Sequence, residues 1–160
     1  MPIFNLQDMK TRLKPGTRLV GLDVGDKTIG IAISDSGLTL ASPVMTVMRK
    51  DWAQDLAAMA KVFKDRQVGG IIVGLPLNMD DSEGPRCTLT RKFANKFLAD
   101  WKPMGFTREP PLAFEDERLS TFAAKDSLME GTNLSRRKKE GVIDMLAATH
   151  ILQGAIKKMP

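Results

Sequence analysis

From Arg18 the chain alternates between apolar runs and short turn signals: RLVGLDV, a turn through Gly25-Asp26-Lys27, TIGIAIS, a Ser36-Gly37 turn, and a third run from Leu38 to Val47 interrupted by Pro43. Connections this short join antiparallel neighbours, so a three-stranded meander is predicted. The period then changes. Trp52, Leu56, Met59 and Phe63 recur at helical spacing behind Asp51, a capping candidate. VGGIIVGLP is apolar throughout instead of alternating, which predicts a strand buried on both faces. After the polar loop NMDDSEG, a helix is predicted from Pro85 to Trp101, with Pro85 in its first turn and Leu89, Phe93, Phe97 and Trp101 facing inward. LAFEDE reads as a further strand. Ser120 is placed to cap a helix over Thr121 to Glu130 that stops at Gly131-Thr132-Asn133, and Ser135 to begin a last helix running to Lys157 through Gly141. Ahead of Pro15-Gly16, Asn5 to Leu13 forms a short helix with Asn5 as its cap. A meander followed by alternating helices and strands predicts an α/β protein, one mixed five-stranded sheet flanked by helices.

Composition narrows what such a sheet can do. At 160 residues, with 42% hydrophobic and 27% charged residues, the chain is expected to be a single domain (1–160) with a real core. His150 and Cys87 are the sole residues of their types, too few for a zinc site, so any metal would be held by oxygen. A lone cysteine excludes an internal disulfide. The absence of a signal-like or membrane-length apolar stretch points to a soluble, unprocessed cytoplasmic protein that does not engage membranes. The net charge of +5 is unevenly spread: residues 1–20 carry +3, residues 134–160 carry +4, and 21–133 carry −2. Basic ends around an acidic middle suit a carboxylate site whose surroundings attract a polyanion, although solvated surface charge would read the same way.

Three acidic positions stand out. Asp23 enters the apolar strand RLVGLDV near its end, where a carboxylate needs a partner or bonds the following Gly25 turn. In Glu115-Asp116-Glu117, alternation puts Glu115 and Glu117 on one face and Asp116 on the other, either at a site or simply solvated. Asp144 shares a helix face with Gly141, Ala147, Ala148, Ile151 and Ala155, a face built for close packing, where its partner is a cation or an arginine. Taken together, three carboxylates and a scissile phosphodiester balance two divalent cations. That is the charge arithmetic of two-metal phosphodiester hydrolysis with Mg²⁺ or Mn²⁺.

GLDVGDKTIGIAISD, VGLPLNMDDSEG, FEDERLST and IDMLAATHIL resemble, in order and spacing, the four motif regions of the YqgF (RuvX) family, over residues 18–156 with 1–16 as an N-terminal extension. The resemblance implies a ribonuclease H-like fold and a nuclease. It places Asp23, Glu117 and Asp144 as catalytic, metal-binding carboxylates and lines the cleft with Gly74 to Asn78. Two positions depart from the family's pattern: Thr28 stands where a basic residue is common, and Asp81 where glycine is usual. Of the activities the resemblance implies, 5′-end maturation of pre-16S rRNA in ribosome biogenesis is favoured. Holliday junction resolution and a non-catalytic nucleic-acid or transcription-complex binding module are the alternatives. A two-lobed actin-like ATPase, which also opens on Asp-x-Gly, needs more chain than this. Lys27, Arg86, Arg91, Arg118, Lys138 and Lys139 are the expected phosphate contacts, with recognition dominated by backbone geometry and no aromatic stacking platform. Cutting a junction calls for a homodimer, whereas trimming an RNA end needs only a monomer.

Overall fold

The computed structural model describes residues 3–77, 80, 82–106, 108–117 and 136–159. Its elements are α1 (Leu6–Arg12), β1 (Arg18–Val24), β2 (Thr28–Ser34), β3 (Ala41–Met48), α2 (Trp52–Asp65), β4 (Val68–Leu75), α3 (Pro85–Ala99), a 3₁₀ turn (Lys102–Met104), β5 (Leu112–Asp116) and α4 (Arg136–Lys158). The helix expected over 121–130, its Ser120 cap, its stop at 131–133, and Ser135 lie outside the described residues.

The strands form one sheet in the order β3-β2-β1-β4-β5. β1, β2 and β3 pair antiparallel, and β1, β4 and β5 run parallel, so the meander and the mixed sheet are both present. Pro43 sits in β3, an edge strand, opposite Ala32, where the register slips; an edge is where a sheet tolerates a missing N–H.

β3 begins at Ala41, later than the Leu38 the apolar pattern indicates. The Asp35 carboxylate is the reason. It accepts the N–H groups of Thr39 (2.7 Å) and Leu40 (3.0 Å) and the Thr39 hydroxyl (2.6 Å), and Leu38 takes a φ of 56°, curling the segment into a turn. These bonds, the Thr39 hydroxyl's foremost, hold the Asp35 carboxyl down at about 2 against an ordinary 3.8. A depressed folded value means the turn keeps its full stabilisation above the ordinary value and loses it as pH falls through about 2. NMR titration of the native protein should place the Asp35 midpoint at about 2, and Thr39→Ala should return it toward 3.8.

Helices α2 and α3 cover one face, where Leu22, Ile31 and Val73 meet Met59, Phe63, Phe93 and Phe97. Asp51 caps α2, its carboxylate accepting the Gln54 N–H at 2.8 Å. In α3, Phe93 and Phe97 are buried as expected but Leu89 is 50% exposed, and the helix ends at Ala99, before Trp101. A four-residue repeat drifts by about 40° per step around a helix of 3.6 residues per turn, which carries Leu89 off the buried face. On the opposite face, Leu19, Ala32, Ile72 and Ala113 meet Ala148, Ile151, Leu152 and Ala155 of α4. The N-terminal segment is laid against β5, with the Phe4 N–H donating to Leu112 O at 2.8 Å and Met9 fully buried.

Candidate active site at the carboxyl ends of β1, β4 and β5

Because β1, β4 and β5 are mutually parallel, their carboxyl ends emerge along one edge of the sheet, the place where open α/β sheets bind ligands. Asp23 lies at the end of β1. Alternation sends it with Leu19 toward α4, whereas Val20, Leu22 and Val24 enter the core beneath α2 and α3. The Glu117 N–H donates to Leu75 O at 3.2 Å, carrying the β5 pairing one step past the strand. Glu115 and Glu117 therefore face α4 and are buried, at 3% and 5% exposure, while Asp116 turns out to solvent.

Glycines create the room for this arrangement. Asp23 is paired with Gly30 across β1 and β2, and the step that follows Leu22↔Val73 brings Gly74 to its other side. A Cβ on Gly30 would overlap the backbone carbonyl of Asp144 and stand 3.1 Å from the Asp144 Cβ. One on Gly74 would overlap Ile151 and stand 3.0 Å from both the carboxyl carbon and Oε2 of Glu117. The two side-chain positions flanking Asp23 are thus left vacant by glycine and taken by the Asp144 backbone on one side and by Ile151 with the Glu117 carboxyl group on the other. Gly21, one step back on the same face, admits α4 in the same way, its virtual Cβ 2.7 Å from Leu152 Cβ and 2.9 Å from Ala148 O. Helix α4 lies directly on sheet backbone. Thr46 anchors it there, donating its hydroxyl to Gly141 O one turn before Asp144.

The site has a further member that acts through Asp144. Thr28, which shares the α4 face with Gly30, donates its hydroxyl to Asp144 Oδ2 at 2.6 Å and so orients that carboxylate. Arg49 is a second, on the other side of the turn: its guanidinium donates to Gly25 O at 2.8 Å, holding the loop that follows Asp23. Period-two alternation from Gly30 would have put Thr28 on the site face. No local pattern marks Arg49, whose contact with Gly25 spans 24 residues.

The structure therefore draws Asp23, Glu117 and Asp144 into one row and diverts Glu115, which is ion-paired with Lys158 near the end of α4. Among the described residues no three His, Cys, Asp or Glu side chains are gathered tightly enough to hold a metal ion. Of the expected phosphate contacts, Lys27 in the β1–β2 turn and Arg86 in the first turn of α3 are exposed. Arg91 instead grips Glu83 through two bonds of 2.6 and 2.7 Å and lies over the Phe114 ring, and that grip lowers the Glu83 carboxyl below its ordinary range. Arg118, Asn78 and Asp81, and the side chains of Lys138 and Lys139, lie outside the described residues.

A three-stranded meander continued by two parallel strands, with the last helix laid over β1 and β2, defines a ribonuclease H-like fold. In the solved structures the same architecture is found in Thermus thermophilus RuvC in complex with a Holliday junction substrate, with a TM-score of 0.51 and 12% identity over 88% of this chain and 93% of that one. The chain itself belongs to the RuvX family, whose model, described as "Holliday junction resolvase", matches residues 17–158. Full-length relatives agree. A Rhodospirillum centenum protein is 46% identical over 99% of this chain and 83% of its own length, and one from Bartonella tribocorum is 45% identical over 99% and 97%. Both carry the name "Putative pre-16S rRNA nuclease". No helix among the described residues is long and apolar enough to cross a membrane.

Proposed function

We propose that this chain is a metal-dependent nuclease that hydrolyses phosphodiester bonds in the 5′-end maturation of pre-16S rRNA, with Asp23, Glu117 and Asp144 as its catalytic carboxylates. The observation that carries this reading is the row itself. A buried Asp at the end of a central strand stands between two glycines, one leaving room for the backbone that carries Asp144 and the other for Ile151 and the carboxyl group of Glu117. The RNA substrate is favoured by the names of the 46% and 45% identical relatives.

The donor set is all carboxylate oxygen, which fits a hard divalent cation such as Mg²⁺ or Mn²⁺. When bound, such cations activate the attacking water and stabilise the leaving oxygen of an in-line displacement. The protein's part is placement. β1 holds Asp23 at the exit of the sheet, the Leu75 carbonyl fixes the backbone of Glu117, and the Thr28 hydroxyl sets the orientation of Asp144. Lys27 and Arg86 stand exposed beside the carboxyl end of β1 as contacts for the phosphate backbone, and Arg118, Lys138 and Lys139 are assigned the same role from the sequence.

A second reading, resolution of Holliday junctions, is favoured by the family model's description. It calls for two symmetry-related cuts and hence a homodimer. A cleavage panel separates the two. Purified protein is offered a pre-rRNA fragment spanning the 5′ end, an unrelated single-stranded RNA and a four-way DNA junction, each with Mg²⁺, Mn²⁺ or chelator. The proposal expects the precursor to be cut with either cation and left whole with chelator. Preferred cutting of the junction would transfer the assignment to the second reading. Cleavage that survives chelation would overturn the metal dependence, and binding of every substrate without cutting would mark a non-catalytic module.

A further inference from the structure

On the face of the sheet opposite Asp144, between α3 and the β1–β2 turn, lies a groove of about 890 Å³. One end is formed by Val24, Gly25 and Asp26, the residues that directly follow Asp23. Arg49, Arg86, Lys92 and Lys96 line it, with Asp26 as the only acid among its lining residues. Arg86, Lys92 and Lys96 are exposed, and among the described residues Arg86 and Lys92 form no ion pair. Beneath these cations the groove is apolar. Phe93 is 3% exposed and Val24 7%, and beside them the 50% exposed Leu89 stands off the core.

We propose that this groove binds a single strand of RNA, phosphates on the cations and a base against Leu89, and delivers it to the carboxylate row. This assignment rests on the nuclease reading for its choice of ligand. Arg49 is ion-paired with Asp55 at 3.4 Å, which leaves three cations against Asp26, an excess that matches a polyanion, and Arg86 and Lys96 stand about 15 Å apart along the helix axis, a span that covers several phosphates. The apolar floor decides between single strand and duplex. A duplex keeps its bases stacked inward and offers this surface only phosphate and sugar, whereas a single strand presents unstacked bases to an exposed leucine. The end wall of the groove is the turn that leaves Asp23, at the edge of the sheet where the carboxylate row lies on the other face. Arg49 holds that turn in place through Gly25 O while its guanidinium lies 5.8 Å from the centre of the Phe93 ring.

The test measures binding by fluorescence anisotropy of a short labelled single-stranded RNA in chelator, where no cutting occurs. The full-length wild type is compared with Arg86→Glu/Lys92→Glu and with Lys10→Glu/Lys61→Glu, which makes the same charge change at exposed lysines outside the groove. The groove variant should bind about tenfold more weakly at about 0.15 M salt, and its log–log salt slope should be shallower by about 1.4, the counterions of two single-strand phosphate contacts. The control should change affinity by less than about twofold. Annealed to its complement, the same RNA should bind both variants about equally. Equal losses from groove and control variants on the single strand would overturn the site, and a loss by the groove variant on the duplex as large as its loss on the single strand would overturn the single-strand assignment. A groove variant that loses binding in a protein that cuts nothing keeps the groove and removes the nuclease. Wild-type binding by that variant, in a protein whose cleavage needs Asp23, does the reverse.

Discussion

Asp23→Asn lowers phosphodiester cleavage by about three orders of magnitude, or about 4 kcal/mol of barrier, in a protein that remains folded. The substitution keeps the shape of a buried side chain held between Gly30 and Gly74 and removes only its charge, so circular dichroism and the melting temperature should stay close to wild type. Asp144→Asn should behave alike, because Asp144 fills the space over Gly30 beside it. Thr28→Val tests positioning. It leaves every carboxylate in place but removes the hydrogen bond to Asp144 Oδ2, so cleavage should fall by about ten- to a hundredfold and the Mg²⁺ concentration for half-maximal rate should rise. Thr28→Ser, which restores the hydroxyl, should recover most of both. Single-turnover cleavage across a Mg²⁺ titration reads all four variants. Residual activity near wild type in Asp23→Asn would remove the carboxylate row from the chemistry. A Thr28→Val rate loss with an unchanged metal dependence would reduce Thr28 to a packing residue.

The largest effect on stability is expected at a residue with no side chain. Gly30→Ala places a methyl group where the backbone carbonyl of Asp144 already sits, 3.1 Å from the Asp144 Cβ. Backbone cannot swing aside as a long side chain can, so α4 must lift from β2. Overpacking of this kind costs about 3 kcal/mol. For a chain of this size that is a fall of roughly 6–12 °C in melting temperature, measurable by calorimetry. The same lift withdraws Asp144 from Asp23 and Thr28, so cleavage should fall with stability, unlike in Asp23→Asn. Gly37→Ala is the control. It lies in the β2–β3 turn, where an added Cβ would meet only Asp35 Oδ2 at 3.5 Å, ordinary contact, and it should melt close to wild type. A stable, active Gly30→Ala would show that α4 does not depend on close approach to β2.

Much of this was legible along the chain. The meander follows from turn spacing, β4 from its unbroken apolar run, and the common face of Glu115 and Glu117 from period-two alternation. Where expectation and structure part, a specific interaction intervenes. The Asp35 side chain delays β3 by capturing the N–H groups of Thr39 and Leu40, and helical drift turns Leu89 outward from the stripe it belongs to by spacing. Arg91, nominated as a phosphate contact by charge, is also bound to Glu83, eight residues earlier, a pairing beyond the reach of any local rule.

The sequence by itself indicated most of the described elements and the oxygen-only character of any metal site, because strand and helix periodicity and side-chain chemistry are local properties, while the resemblance of its motifs nominated Asp23, Glu117 and Asp144. Their convergence was decided by the tertiary structure. Asp23 and Asp144 are more than a hundred residues apart, and Asp144 is brought beside the end of β1 because Gly30, the cross-strand neighbour of Asp23, carries no side chain on the face where α4 comes down onto the sheet. Whether a glycine marks a turn or a vacancy depends on what lies above it, and that is a property of the packed layers alone.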